Sequence, residues 1–156
     1  MAQILTLLVT IVLAALQPAL SEVAYQRVEG PLQVVDTGEL MDIFLKPAYA
    51  ELQQAMARPP ADRKEWATIY QKAVRVAELS NLLFFRTHED ARKPEWSATA
   101  ARARQAAAEV AAAALLGLRT VKPENYTAVR AKYPAVADAC NACHSTFAHD
   151  AVTVKP

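Results

Sequence analysis

The chain contains little cysteine, histidine and glycine. Of its 156 residues, 2 are cysteine, 3 are histidine and 3 are glycine. A structural zinc site takes about four nitrogen or sulfur ligands, so this supply argues against one. A thioredoxin-like dithiol is expected beside a βαβ pattern, and no stretch of the sequence has the pattern of a strand. Scarce glycine together with abundant alanine favours helices throughout, and the sequence therefore predicts an all-α protein.

The chain also lacks a large excess of positive or of negative charge. The formal net charge is +1, so no strong electrostatic field indicates a nucleic-acid partner or an acidic membrane surface. A local basic docking face remains compatible with this value, because net charge says nothing about distribution. The length corresponds to one domain, which is enough to bury a hydrophobic core.

Both cysteines lie in one short motif, Cys140-Asn141-Ala142-Cys143-His144. The pattern C-x-x-C-H is typical of a c-type haem attachment site. Two thiols one helical turn apart can each add to a vinyl group of one porphyrin, and the following histidine can bind the iron from one face. The motif predicts one covalent haem c. The alternatives are a redox dithiol, part of a metal site, or an ordinary helix with two surface cysteines.

The N-terminal residues have the composition of an export signal. Met1–Ser21 contains no charged side chain, and Ile4–Leu16 is almost unbroken apolar sequence. Ala19-Leu20-Ser21 has the small residues that a signal peptidase recognises, which predicts cleavage before Glu22. An uncleaved membrane anchor is the alternative, although the apolar run is short for a span of about 20 residues. Bacterial c-type haems are attached outside the cytoplasm, so a signal peptide over 1–21 and a periplasmic location agree with the motif.

An irregular arm is expected over residues 22–35, followed by the first of four amphipathic helices. Asp36 and Glu39 form a capping-box pair at its start, and it ends before Pro59-Pro60. Pro47 lies inside it and is expected to kink the helix or loosen one turn. Its apolar stripe, read at 100° per residue, comprises Leu40, Met41, Phe44, Leu45, Ala48, Leu52 and Met56.

Three more helices follow. The second is predicted over Ala61–Phe85, with Arg86–Lys93 as a polar loop. The third begins at Pro94 and runs to about Leu118, with Gly117 expected to help terminate it. The fourth covers Glu124–Phe147 and is interrupted at Pro134. The stripe of the second helix comprises Trp66, Ile69, Tyr70, Ala73, Ala77, Ser80 and Phe84.

These helices and short connections predict an antiparallel four-helix bundle over residues 36–149, with a C-terminal tail at 150–156. The chain from Ala148 onward is expected to fray. In such a bundle the end of the fourth helix lies beside the start of the first, which brings Met41 near His144. Met56 follows 15 residues later, about 22 Å along the axis, and is expected to be a core residue at the far end.

The sixth position of the iron has three possible fates. Met41 can bind through its thioether, which raises the reduction potential and suits electron transfer. His88 can bind instead. In the third case nothing binds, and Leu40, Met41 or Phe44 covers the iron, which leaves a site for a small gas molecule. Because Met41 is expected at the same end of the bundle as His144, its position favours it as the sixth ligand.

Other polar residues near this end of the bundle are less favoured as iron ligands or haem contacts. His88 lies in a charged loop and is expected to be solvated, and His149 lies on the tail. Arg86 is expected on the surface, with a salt bridge to a haem propionate as the functional alternative.

The residues from Asp36 to His149 resemble the cytochrome c prime family, the class II cytochromes c. The resemblance rests on Cys140–Phe147, read CNACHSTF, and on Leu40–Ile43, read LMDI. It implies a periplasmic haem protein, often a homodimer packed through its first two helices. High-spin members leave the sixth site open and bind NO or CO, whereas low-spin members use a methionine of the first helix. Met41 occupies that position.

The chain is therefore predicted to be an exported monohaem cytochrome that carries single electrons and is not an enzyme. Cys140 and Cys143 hold the haem, His144 binds the iron, Met41 is the distal ligand, and Phe44 and Arg86 contribute to the haem site. A redox protein of unknown identity is the expected partner. The alternatives are a five-coordinate protein that binds NO or CO and a thiol oxidoreductase that uses Cys140 and Cys143.

Overall fold

Every regular element in residues 32–156, the part of the chain that the computed structural model describes, is helical. The expectation of an all-α protein is confirmed for this part. The predicted signal peptide at 1–21, its alternative as an anchor, and the arm as far as residue 31 lie outside the described residues. Residues 32–36 carry no helix, as expected for the end of the arm.

The first helix begins at the predicted capping box. Asp36 is its N-cap. The backbone N–H of Glu39 donates to Asp36 Oδ1 at 2.8 Å, and the Asp36 N–H donates to the Glu39 carboxylate at 3.3 Å. This reciprocal pair satisfies two of the N–H groups that a helix start leaves unpaired. The helix then runs through three consecutive segments: α1 (Thr37–Leu40), a π turn (Met41–Leu45) and α2 (Lys46–Ala55).

The π turn lies directly before Pro47. The Lys46 N–H reaches back five residues to the carbonyl of Met41, in place of the four-residue step of an α-helix. Pro47 has no N–H, so a regular α-helix would leave the carbonyl of Ile43 without its usual partner. The wide turn is therefore favoured at this place, and the loosened turn expected at Pro47 is confirmed.

The second helical region consists of α3 (Arg63–Asn81) and a 3₁₀ segment (Leu82–Phe85). Asp62 caps its start by accepting from the Glu65 N–H at 2.8 Å. The predicted end at Phe85 is confirmed, although the last turn is 3₁₀. A second 3₁₀ turn, Asp90–Arg92, lies within the predicted loop.

The third helix, α4 (Pro94–Thr120), continues beyond the predicted end near Leu118. Its end is capped by Val121, which has φ 52° and donates its N–H to the Gly117 carbonyl at 2.7 Å. The expectation that Gly117 terminates the helix is wrong. Gly117 is buried, and a Cβ added there would overlap the ring of Trp66. Glycine therefore allows two helices to approach closely at this point.

The fourth helical region is divided as predicted into α5 (Glu124–Lys132) and α6 (Pro134–Phe147). The expectation of a frayed tail is wrong. After α6 the chain turns back, and Val154 forms two hydrogen bonds with the side chain of Asn141. The Lys155 carbonyl also accepts from the hydroxyl of Tyr49. Partners distant in sequence thus give the tail a defined course.

Two hydrophobic clusters hold these helices together. We call the larger one the main core. Its fully buried large side chains are Leu52, Trp66, Ile69, Val110, Val129 and Val136. We call the smaller one the end cluster. Its buried residues are Leu40, Leu83, Trp96 and Ala100, with Val35, Met41, Leu45, Ala91 and Phe147 packed against them.

The contacts between helices describe a bundle-like fold. The most extensive packing is between α3 and α4, and α6 also packs on α4. The Tyr126 hydroxyl at the start of α5 donates to the Met56 carbonyl at the end of α2, at 2.6 Å. None of the helices in residues 32–156 combines the length and the apolar character needed to cross a membrane.

Candidate functional site

The three chemistry-bearing residues of the motif lie on one continuous helix. Cys140, Cys143 and His144 occupy positions i, i+3 and i+4 of α6, and residues at this spacing share one helical face. Each of the three is half-buried, and both cysteines are free thiols. The local fold therefore presents two sulfur atoms and one imidazole from the same side of α6.

The surroundings of the thiols keep them protonated. Burial raises the pKa of Cys140 to about 11, and the neighbouring Cys143 adds to this shift. Burial also raises the pKa of Cys143, while the Thr99 hydroxyl and the Arg102 guanidinium act in the opposite direction. A reactive redox thiol needs the thiolate, whose pKa is lowered at a helix N-terminus or by a nearby cation. Since Cys140 lies well inside α6, its environment disfavours the thiol oxidoreductase alternative.

The imidazole of His144 is suited to metal binding. Burial lowers its pKa below the ordinary value of 6.5, so the ring is neutral at neutral pH, which is the form that binds metals. Its Nδ1 atom is buried and has no hydrogen-bond partner among the described residues. With Nδ1 enclosed, Nε2 is the nitrogen available to a ligand.

The end cluster lies at the same end of α6 as His144. Phe147, in the last turn of α6, packs edge-on against Trp96 with ring centroids 5.2 Å apart. The indole Nε1 of Trp96 donates to the Leu83 carbonyl at 2.8 Å. Leu40 is fully buried in this cluster, and Met41 packs against it. The start of the first helix, the connection between α3 and α4, and the end of α6 therefore meet in one apolar region.

The two methionines of the first helix occupy different clusters. Met41 is partly buried against the end cluster. Met56 is 7% exposed and belongs to the main core. The prediction that Met56 is a core residue remote from the motif is confirmed, and Met41 lies at the end where a distal ligand is expected.

The predicted burial of two aromatic residues is wrong. Phe44 is 39% exposed and Phe84 is 36% exposed. Phe44 lies in the π turn, which adds a residue to the helical repeat and rotates this side chain out of the apolar stripe. Phe84 lies in the 3₁₀ segment, whose tighter repeat has the same effect, and the guanidinium of Arg104 lies 5.1 Å from the centre of its ring. The role of Phe44 at the haem stays a prediction.

The predicted solvation of His88 is also wrong. Its ring packs edge-on against Trp96 with centroids 4.6 Å apart, and its Nε2 atom is buried without a hydrogen-bond partner among the described residues. Its Nδ1 atom accepts from the Ala91 N–H at 3.2 Å. A neutral imidazole that accepts at Nδ1 carries its proton on Nε2. This arrangement disfavours His88 as an iron ligand, and His149 is exposed on the tail.

Arg86 has a structural role in the described residues. Its Nε donates to the Leu82 carbonyl at 3.0 Å, and its Nη1 donates to the Val35 carbonyl at 2.9 Å. These bonds fasten the segment before the first helix to the 3₁₀ segment. The predicted contact of Arg86 with a haem propionate stays a prediction.

Sequence reasoning did not single out four residues that surround the motif. Thr99 and Arg102 lie beside Cys143, Trp96 contacts both Phe147 and His88, and Asn141 binds the tail. Trp96 and Thr99 are three residues apart on the buried face of α4, so the apolar periodicity of that helix is the signal that would have found them. No local signal indicates the role of Asn141, because its partner is 13 residues away.

Comparison of the chain with protein-family models, with curated proteins and with solved structures finds no match. The interpretation of the site therefore rests on its residues and their geometry. The donor set fits a covalently bound haem: two protonated thiols and a neutral imidazole on one helical face, next to an apolar cluster that contains a methionine.

Proposed function

We propose that this protein is an exported c-type cytochrome that transfers single electrons. Cys140 and Cys143 would hold the haem through thioether bonds, and His144 would bind the iron. The observation that carries the proposal is the C-x-x-C-H motif on one face of α6, beside the apolar cluster that also receives Met41. C-x-x-C-H is the pattern in which a c-type haem takes two thiols and the adjacent histidine together.

The proposal includes an antiparallel arrangement of the four helical regions. Three contacts support it. Met56 at the end of the first helix contacts Tyr126 at the start of the fourth. Leu40 at the start of the first helix shares the end cluster with Phe147 at the end of the fourth. Trp66 in the first turn of α3 contacts Gly117 in the last turn of α4.

Each residue of the site has a defined task in this proposal. The two thiols would become thioethers on attachment of the haem. Their raised pKa values would therefore have no effect on the function of the loaded protein. His144, which is neutral, would bind the iron through Nε2, and Met41 would supply a thioether ligand. Leu40, Leu83 and Trp96 would exclude water, which together with thioether ligation would raise the reduction potential. When bound, the haem supplies the one-electron chemistry.

The compartment and the partners belong to the same proposal. The N-terminal composition favours the periplasm, where a C-x-x-C pair would oxidise if no haem were attached. A redox protein is the expected partner. The resemblance noted above suggests a homodimer that packs through the first two helices.

The test is to express the chain with a c-type maturation system and compare four proteins. Wild type is expected to carry covalent haem and a low-spin ferric spectrum with a sulfur-to-iron charge-transfer band. The double variant Cys140→Ser/Cys143→Ser is expected to lose covalent haem completely. Met41→Ala is expected to lose the charge-transfer band. Met56→Ala is the matched control, because it removes a buried methionine of the main core: it should keep the band while the free energy of unfolding falls by about 2–5 kcal/mol.

A five-coordinate haem protein that binds NO or CO is the second candidate. The observation that favours it is the packing of Met41 against the apolar end cluster, where the side chain can serve as a cover. This candidate predicts a high-spin ferric spectrum and fast CO binding to the ferrous protein without ligand displacement. An unchanged ferric spectrum in Met41→Ala would reject Met41 as a ligand and rank this function first.

A further inference from the structure

The C-terminal residues form a short strap across the motif helix. We define the strap as residues 152–156. The side-chain amide of Asn141 donates from Nδ2 to the Val154 carbonyl and accepts at Oδ1 from the Val154 N–H, both at 2.8 Å. Asn141 is the residue after Cys140, so one position of the C-x-x-C-H motif is devoted to holding the tail. The amide N–H and the amide oxygen of Asn141 are thus both paired, with the carbonyl and the N–H of the same residue, Val154.

The other end of the strap binds the first helix. The Lys155 carbonyl accepts from the Tyr49 hydroxyl at 2.9 Å and from Gln53 Nε2 at 3.3 Å. Gln53 Nε2 also approaches the Pro156 carbonyl oxygen at 3.5 Å. Tyr49 and Gln53 both lie on α2, the helix that follows the π turn. The strap therefore connects the haem-attachment turn of α6 to the helix that carries the proposed distal ligand.

Tyr49 ties the strap to the start of α6 as well. Its ring stacks on that of Tyr133, with centroids 6.0 Å apart and planes at 13°. Tyr133 immediately precedes α6, the helix that carries Cys140 and Asn141. The strap and Tyr49 are thus connected to α6 at two places, at Asn141 within the motif and at Tyr133 directly before the helix.

The strap buries too little surface to be an important source of global stability. Val152 is 86% exposed, and most hydrogen bonds of the strap are on exposed atoms. Each of these exposed hydrogen bonds contributes little to the free energy of unfolding. Their effect is instead concentrated on two places, the motif turn and α2. Because α2 directly follows the π turn that contains Met41, the separation of these two places bears on whether His144 and Met41 could bind one metal.

We propose that the C-terminal strap positions the haem-attachment turn relative to the first helix, with Asn141 as the positioning residue. The existence of the strap rests on the described hydrogen bonds. Its effect on the haem rests on the proposed function. Loss of the strap would let the two helices separate at the site, weaken binding of Met41 and admit water. Water stabilises the more highly charged ferric state, so the reduction potential would fall.

The first part of the test measures the strap without reference to haem. Amide hydrogen exchange of Val154 is compared in wild type, Asn141→Ala, Asn141→Asp and Asn125→Ala. Asn141→Ala removes the acceptor of the Val154 N–H, and exchange should become about fivefold faster, as expected for one hydrogen bond of about 1 kcal/mol. Asn141→Asp keeps the acceptor oxygen and should retain protection. Asn125→Ala is the control, since that side chain bonds only Thr120, at the far end of α4.

The second part measures the haem-loaded proteins by reduction potential and by the methionine charge-transfer band. Asn141→Ala should lower the potential and weaken the band, and Asn125→Ala should change neither. Asn141→Asp adds a negative charge beside Cys140 that lowers the potential by itself, so its comparison rests on the band, which it should partly recover. A chain that ends at Thr153 should behave as Asn141→Ala does. The combination of both changes should produce no further shift beyond that of the truncation, because the truncation already removes the Asn141 pair of hydrogen bonds together with those to Tyr49 and Gln53.

Three outcomes would overturn the inference, and they differ from one another. Unchanged Val154 exchange in Asn141→Ala would show that Asn141 does not hold the strap. Faster exchange with an unchanged potential and band would show that the strap does not position the haem. Absence of covalent haem in wild type would overturn the proposed function and the positioning role together, while the exchange data would still report on the strap.

Discussion

The two tryptophans of the chain lie in two regions that are built differently. Trp66 is 1% exposed and packs in the main core, with its ring directly against Gly117. Trp96 is 4% exposed, and its neighbours in the end cluster are the aromatic rings of His88 and Phe147 and the carbonyl of Leu83. The first is enclosed by regular α-helices. The second is bordered by 3₁₀ segments and the residues before the first helix.

The difference extends to the backbone. The main core is formed by residues of α2, α3, α4, α5 and α6, apart from Met56 and Tyr133 at segment ends. The end cluster includes residues of the π turn and of both 3₁₀ segments. Several large apolar side chains of these segments are exposed, namely Ile43, Phe44, Leu82, Phe84 and Phe85. Irregular turns weaken a region and are frequent at functional sites. We therefore expect stability to be concentrated in the main core, whereas Met41 and Phe147, which follows the C-x-x-C-H motif on α6, pack against the end cluster.

The largest expected effect is that of Trp66→Ala. It removes the largest fully buried side chain of the main core, so the free energy of unfolding should fall by about 3–5 kcal/mol in urea denaturation. Trp96→Ala should cost less, because loop segments around the end cluster can collapse into the space. Equal losses for the two variants would contradict the distinction between the regions.

Gly117→Ala should have the next largest effect. The added Cβ overlaps the Trp66 ring, and overpacking of this kind typically costs about 1–3 kcal/mol. Gly38→Ala is the matched control at the start of the first helix. Its added Cβ lies 3.3 Å from Asp36 Oδ1, which also accepts from the Glu39 N–H. The small shift that this contact requires is offset by the higher helix propensity of alanine, so the change should be close to neutral. Both are measured by the midpoint of urea unfolding, and a neutral Gly117→Ala would disprove the close helix approach.

Pro47→Ala should affect the end cluster more than stability. Alanine restores an N–H that can bond the Ile43 carbonyl, so the π turn can become regular α-helix and rotate Met41 relative to α2. The free energy of unfolding should change by about 1 kcal/mol or less, whereas the methionine charge-transfer band should weaken. Pro94→Ala, at the first position of α4 where proline is well tolerated, is the control. A retained band in Pro47→Ala would show that the π turn does not orient Met41.

The smallest effect concerns the pH dependence of stability in protein purified without haem. The pKa of His144 is lower in the folded chain than its ordinary value of 6.5, so the unfolded chain binds more protons as the pH falls below about 6.5. The free energy of unfolding should therefore decrease between pH 6.5 and 5. His144→Gln should show a shallower decrease when unfolding is followed by circular dichroism. Identical slopes would mean that His144 is not held in its neutral form.

Much of the helical architecture follows from short-range chemistry. The Asp36–Glu39 capping box, the loosened turn before Pro47 and the break at Pro134 each depend on residues within one or two turns. The C-x-x-C-H spacing likewise places three side chains on one face of any helix that contains it. The same local logic failed for Phe44 and Phe84, because a single π or 3₁₀ turn changes the angle between successive side chains.

The sequence alone thus determined the all-α class of the described residues, the helix starts and breaks and the C-x-x-C-H spacing, because each depends on residues close together in the chain. The tertiary structure decided the rest. It buried the Nε2 of His88 beside Trp96, bound the tail to Asn141 and Tyr49, and placed the Trp66 ring against Gly117. The partners in these contacts are between 8 and 106 residues apart. Only a folded chain brings such partners together, so no local pattern could reveal them.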